Sequence, residues 1–137
     1  MSAPAEDALL DAWEATLRSN HDRAAVLALN GSTLRTFGDI EAESHELGES
    51  LVAPLAPGAV LAIQLGNHES WPALLLACLR RRLIVLPMEA TTSPNERDTA
   101  MRACGAVAAA VPSGHRITLL GREAGDALAL AGQITVL

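Results

Sequence analysis

The apolar positions fall into two regimes along the chain. Over residues 6–19, Leu9 or Leu10, Trp13 and Leu17 recur at helical spacing, with Asp11, Glu14 and Arg18 between them, which predicts an amphipathic helix. The polar run 19–22 stops it. Residues 25–29 and 32–36 then read as two strands joined by Asn30-Gly31, a pair that suits a type I′ hairpin turn with positive φ at both positions. Thr36 should cap a following helix, with Asp39 three residues on to meet the helix-start dipole. On that helix Phe37, Ile40, Ser44, Leu47 and Leu51 share one face. Glu41, Glu43, Glu46 and Glu49 are expected on a solvated acidic surface.

After Pro54, Pro57 and Gly58 the pattern changes. Residues 60–65, 83–86 and 106–111 are apolar runs without polar alternation. Helical segments 71–80 and 94–104 separate them, the first with Leu74, Leu75, Cys78 and Leu79 inward. A further strand is expected at 117–120, a short helix at 124–131 and a closing strand at 133–137. Strands buried on both faces and alternating with helices predict an α/β fold. Its sheet is three-layered, doubly wound and mostly parallel, with helices on both faces. The N-terminal helix and hairpin add to it. Residues 1–137 are read as a single α/β domain, divided into 1–57 (helix, hairpin, helix) and 58–137 (alternating β/α core).

Composition narrows the function classes. The net charge is −6 and aromatic residues are 2% of the chain, which disfavours phosphate binding and base stacking. Arg80, Arg81 and Arg82 form the one basic cluster, and they sit between a helix and a strand; no nucleic-acid partner is expected. All ten basic residues are arginine. Lysine chemistry, such as a Walker-type loop or a Schiff base, is therefore excluded from this chain. Cys78 and Cys104 lack metal-like spacing and read as small hydrophobes in a reducing compartment. With no signal-peptide core and no run near ~20 apolar residues, a cytoplasmic protein without a membrane span is expected.

Candidate chemistry is sparse. Doubly wound sheets bind ligands beyond the carboxyl ends of their strands, which directs attention to residues 66–70, where Asn67, His68, Glu69 and Ser70 lie. Asn67 or Ser70 is expected to cap the next helix, with Pro72 in its first turn. His68-Glu69 does not continue into a zinc-protease motif, because Pro72 stands where the second His belongs. His21, His45 and His115 are isolated. Residues 113–116 fit a polar turn between strands. Residues 91–94 read as a loop capping a helix whose first turn holds Asn95, Glu96 and Asp98. Glu123 and Asp126 are expected on an exposed helix. No GxSxG elbow is present. No catalytic, cofactor-binding or metal-binding residue is assigned.

Four blocks carry a resemblance. They are His21 to Val26, Thr33 to Ile40 with Glu43, Ser44, Leu47 and Leu51 following, Leu55 to Asn67, and Trp71 to Met88. In order and spacing, over residues 21–111, they resemble the N-terminal region of the AMP-dependent synthetase/ligase superfamily, the adenylate-forming acyl-CoA synthetases and their relatives. Two departures stand out. Arg81-Arg82 replaces a usual Ala-Gly after the helix, and Glu89-Ala90 replaces Asp-Pro. Since Arg82 stands where glycine, the usual left-handed helix stop, is expected, an exposed, structurally strained or non-glycine turn is predicted there.

The resemblance implies an N-terminal subdomain of an acyl-CoA synthetase-like ligase. Full-length members activate a carboxylic acid with ATP and magnesium to an acyl adenylate, then pass it to coenzyme A. The family's phosphate loop, later motifs and C-terminal lysine fall outside this chain, so no functional residue carries over. The chain alone is expected to be inactive and to bind none of these cofactors, with the remainder of a parent enzyme as its partner. Two alternatives stand beside this reading. One is a non-enzymatic interaction or scaffold module derived from the family; the other is a small nucleotide-binding α/β domain. Acyl substrate and oligomeric state stay open.

Overall fold

The computed structural model describes residues 4–121. The expected helix at 124–131, the expected strand at 133–137, Glu123 and Asp126 lie outside the described residues. Helix α1 (Pro4–Asn20) leads into a hairpin of β1 (Ala24–Leu27) and β2 (Thr33–Thr36), followed by α2 (Phe37–Glu49). The second half runs β3 (Val60–Ile63), α3 (Trp71–Arg80), β4 (Ile84–Pro87), α4 (Pro94–Cys104), β5 (Ala106–Ser113) and β6 (Arg116–Gly121). No helix among the described residues is long and apolar enough to cross a membrane.

The main sheet has the order β4-β3-β5-β6. Strand β3 pairs parallel with both β4 and β5, and β6 returns antiparallel along β5. The apolar runs explain the parallel part, since both faces of β3 are covered. Leu61 and Ile63 face α3 through Leu74, Ala77 and Cys78, while Ala62 faces Met101 of α4. The fold is thus a three-layer, doubly wound α/β sheet. Helix α1 forms a further tier on α2 and α3, where Leu10 and Trp13 pack with Ile40, Ala73 and Leu76.

Several expectations are corrected. The hairpin turn is wider than a two-residue type I′ turn. Ala28 and Ser32 close it, and positive φ occurs at Gly31 (+87°) but not at Asn30. The reason is local: Asn30 Oδ1 accepts the Ser32 N–H at 3.0 Å, an Asx-type turn that competes with the tighter one. Strand β4 is not buried on both faces. It is the sheet edge, and Ile84 is 55% exposed. Leu75 and Leu79 are half-buried and line a groove against α1, while Ala73, Leu76 and Ala77 join Leu74 and Cys78 inside.

The acidic surface of α2 is also corrected. Glu41 and Glu43 are drawn into ion pairs with Arg80 and Arg35. Cys78 is buried and its thiol is pushed up to about 12 by desolvation, as a packed hydrophobe requires. Cys104 is exposed, at the last position of α4.

The arginine cluster is structural. Arg80 donates to Glu41 and to Ser44 Oγ, tying α3 to α2. Arg81 Nη2 donates to the Ala53 carbonyl at 2.9 Å, tying α3 to the α2–β3 connection. Arg82 takes φ +60°, the one positive φ outside glycine among the described residues. The Leu83 N–H reaches the Cys78 carbonyl and the Arg82 N–H reaches that of Leu79, a Schellman stop in which Leu83 and Cys78 both enter the core.

Candidate functional site

The strand order reverses between β3 and β5. Connections leave β3 toward β4 on one side and come back past it to β5 on the other. The crevice at the carboxyl ends of β3 and β5 is therefore the site the topology favours for a ligand. Its walls are the connection after β3, the middle and end of α2 and the turn between β5 and β6. A cavity of about 510 Å³ opens there, lined among others by Glu43, Glu46, Ser70, His115 and Arg116.

Ser70 is the N-cap position of α3, as one of the two expected candidates, but its hydroxyl does not cap. It donates instead to Glu43 Oε2 at 2.6 Å. Arg35 holds the same carboxylate, with Nε 3.0 Å from Oε1 and Nη2 3.4 Å from Oε2. The Glu43 hydrogen bond is the main cause of a raised Arg35 pKa, partly offset by burial. The Ser70 N–H is turned to His68 Nδ1 at 3.1 Å, so Nε2 carries the imidazole proton in the neutral ring. Asn67 is exposed and is not the N-cap.

Two distant loops meet at Glu69 and His115, which are 3.0 Å apart. Glu69 is held below the usual carboxylate range, first by its own backbone N–H and then by the His115 hydrogen bond. The structure thus brings His68, Glu69, Ser70 and His115 together. It keeps His21 and His45 elsewhere, beside Asp22 and Glu41 respectively. Ser93 and Glu96 form a capping box on α4, as the 91–94 reading expected.

Sequence reasoning missed Arg35, Glu43, Gln64 and Arg97. Gln64 is 6% exposed; its amide donates to the Thr92 carbonyl at 2.8 Å and to that of Glu89 at 3.2 Å. Its oxygen accepts from Arg97 at 3.1 Å. One side chain thereby fixes the loop after β4 against the end of β3. A lone amide in the otherwise apolar run 60–65 was the available signal, because a buried amide must find partners. No comparable signal marked Glu43, whose partners lie 8 and 27 positions away.

Glu43 and Glu46 face the cavity, and the Arg35 guanidinium is engaged by Glu43. Among the described residues no group of three or more His, Cys, Asp or Glu side chains converges as a metal site. What this arrangement does is brace α2, α3 and the strand-end loops against one another.

The fold and this braced crevice define an α/β scaffold unit. A family model described as AMP-binding enzyme matches residues 13–133, and the chain belongs to that family. A search of curated proteins gives no match. Among solved structures, the chain is similar to the N-terminal subdomain of NpsA from Klebsiella oxytoca. That match has 17% identity and a TM-score of 0.61, and covers 77% of this chain and 29% of that one. O-succinylbenzoate coenzyme A synthetase (MenE) from Bacillus subtilis, solved with ATP and magnesium, matches at 20% identity. Its TM-score is 0.64, with 74% of this chain and 27% of that one covered. VinN, solved with 3-methylaspartate, matches at 16% identity and a TM-score of 0.63, covering 72% and 27%. At these identities the likeness is one of fold. The chain spans less than a third of the length of each of these structures.

Proposed function

We propose that this chain is the opening α/β unit of an adenylate-forming ligase that activates a carboxylic acid with ATP and magnesium and passes the acyl group to coenzyme A. The observation that carries this reading is the family match over residues 13–133, which spans both the hairpin half and the β/α half of the fold. The transfer to coenzyme A leans on the likeness to a coenzyme A synthetase. It is weighed against NpsA, which has been studied in an artificial fusion described as an adenylation–PCP di-domain.

In this reading the chain supplies scaffold rather than chemistry. Its cavity sets Glu43 and Glu46 beside His115 and Arg116, the chain holds no lysine, and Arg35, Arg80, Arg81 and Arg97 are engaged by Glu43, Glu41, a backbone carbonyl and Gln64. Alone it neither turns over ATP nor holds the metal. The test is the gene beyond codon 137. A continuing frame with a Ser/Thr/Gly-rich loop ending in Pro-Lys is expected, and a stop codon directly after Leu137 would refute the proposal.

A second reading has one observation in its favour. The hairpin exposes Leu27, Leu29 and Leu34, an apolar face that a binding module would use. Sedimentation of the 137-residue chain as a concentration-independent monomer that binds no partner would remove it.

A further inference from the structure

Five large apolar side chains are exposed among the described residues, and four of them, Leu9, Leu27, Leu29 and Leu34, border two adjoining hollows. A single exposed leucine means little, but a continuous apolar patch marks a contact surface. Leu27, Leu29 and Leu34 border a cleft of about 810 Å³ between the hairpin and the start of α3, with Trp71 and Pro72. Leu9 borders a groove of about 310 Å³ between α1 and α3, with Trp13, Leu75, Leu79 and again Pro72. Since Pro72 lines both, cleft and groove form one strip. Thr16 is the single polar residue bordering the groove among the described residues, and the Trp13 indole N–H is already given to Glu41 at 3.0 Å.

Charge sets this strip apart. Charged residues make up 19% of the chain, and the net charge is −6. None of them borders the cleft or the groove among the described residues. An acidic chain repels its own copies, and it does so least where its carboxylates are absent.

Shape points the same way. Leu29 sits in the hairpin turn and is fully exposed. Turns ordinarily carry Gly, Asn, Asp or Ser, so a leucine there serves no need of the turn itself. The groove on the other side of Pro72 has room for such a side chain. A knob and a hollow flanking a midpoint meet the demand of a two-fold contact, because each copy then fills the other.

We propose that this strip is the contact between two copies of the chain, related by a two-fold axis near Pro72, with Leu29 of each copy seated in the α1–α3 groove of the other. The inference stands apart from the ligase reading and names the occupant that the second reading leaves open.

The test is sedimentation equilibrium of the 137-residue protein over a wide concentration range. A monomer–dimer equilibrium is expected. Leu29→Asp should weaken it by about tenfold or more, since the change sets two carboxylates against apolar walls in each dimer. Leu29 is fully exposed, so the fold should survive, which circular dichroism checks. Ile84→Thr alters the one large apolar side chain exposed away from the strip among the described residues, and should change nothing. Orientation is read by disulfide cross-linking in a Cys104→Ser background, which removes the exposed native thiol. On oxidation, Leu29→Cys mixed with Leu79→Cys should give a disulfide between the two variants, while Leu29→Cys alone should not pair with itself. A monomer at every concentration, a dimer that Leu29→Asp leaves intact, a dimer broken by Ile84→Thr, or self-pairing of Leu29→Cys in place of the mixed disulfide would each overturn the proposal.

Discussion

Helices α3 and α4 do the same job, each carrying the chain from one parallel strand to the next, yet they are held by different means. Helix α4 follows local rules. Ser93 and Glu96 close a capping box, Pro94 sits in the first turn, and Gly105 at φ +69° ends it. A single residue, Met101, is buried. Helix α3 has the same outline, a serine at the start and a left-handed residue at the end. There the serine is diverted to Glu43 and the left-handed residue is an arginine. Five of its residues are buried, and Arg80 and Arg81 tie its end to α2 and the next connection. Tertiary contacts can displace local signals, and they do so where burial is greatest.

The largest expected effect tests that difference in burial. Leu74→Ala should cost about 3–4 kcal/mol, and Met101→Ala about 2–3 kcal/mol, by urea denaturation. A greater loss at Met101 would reverse the comparison. The two serines come next. Ser70→Ala removes a donor to a part-buried carboxylate and should cost about 2 kcal/mol, against about 1 kcal/mol for Ser93→Ala. Equal losses would mean that the Glu43 contact adds nothing beyond an ordinary cap.

The two helix ends give a pair of opposite sign. Arg82→Gly should stabilise the chain by about 1 kcal/mol, since a left-handed conformation strains any residue with a Cβ. Gly105→Ala should destabilise by about the same amount; no atom lies within 4 Å of the added Cβ, so backbone strain alone is at issue. A melting temperature lowered by Arg82→Gly would show that the arginine side chain outweighs its strain.

The smallest effect is a pH dependence. Burial pushes the Glu41 carboxyl up, but hydrogen bonds from Arg80, Trp13 and His45 and the Arg80 charge outweigh it, leaving a pKa below the ordinary 4.5. A lowered folded pKa contributes stability above 4.5 that is lost as pH falls through the folded value. The wild type should therefore lose stability from about pH 5 downward, and Arg80→Ala should flatten that slope. Parallel curves for the two proteins would contradict the pairing.

The same contrast explains what was legible in the sequence. The Thr36–Asp39 capping box could be read because both partners lie within four residues, and the structure forms it. The strand runs and the bounds of α3 and α4 were legible from unbroken apolar stretches and prolines. Arg82 was legible through the family resemblance, which expects glycine there. The edge position of β4 was not, because apolar content does not reveal strand order. The Arg35–Glu43–Ser70 cluster was not either, since its members come from three segments joined by the fold alone. Glu43 on a helix surface looks the same whether water or an arginine meets it.

The central proposal is that this chain is a scaffold unit of an adenylate-forming ligase and supplies no chemistry of its own. The most direct measurement is carboxylic-acid-dependent ATP–pyrophosphate exchange by the purified 137-residue protein with magnesium present. The account predicts no exchange above a buffer control with any acid in a broad panel. Exchange that depends on a particular acid and saturates with ATP would contradict it.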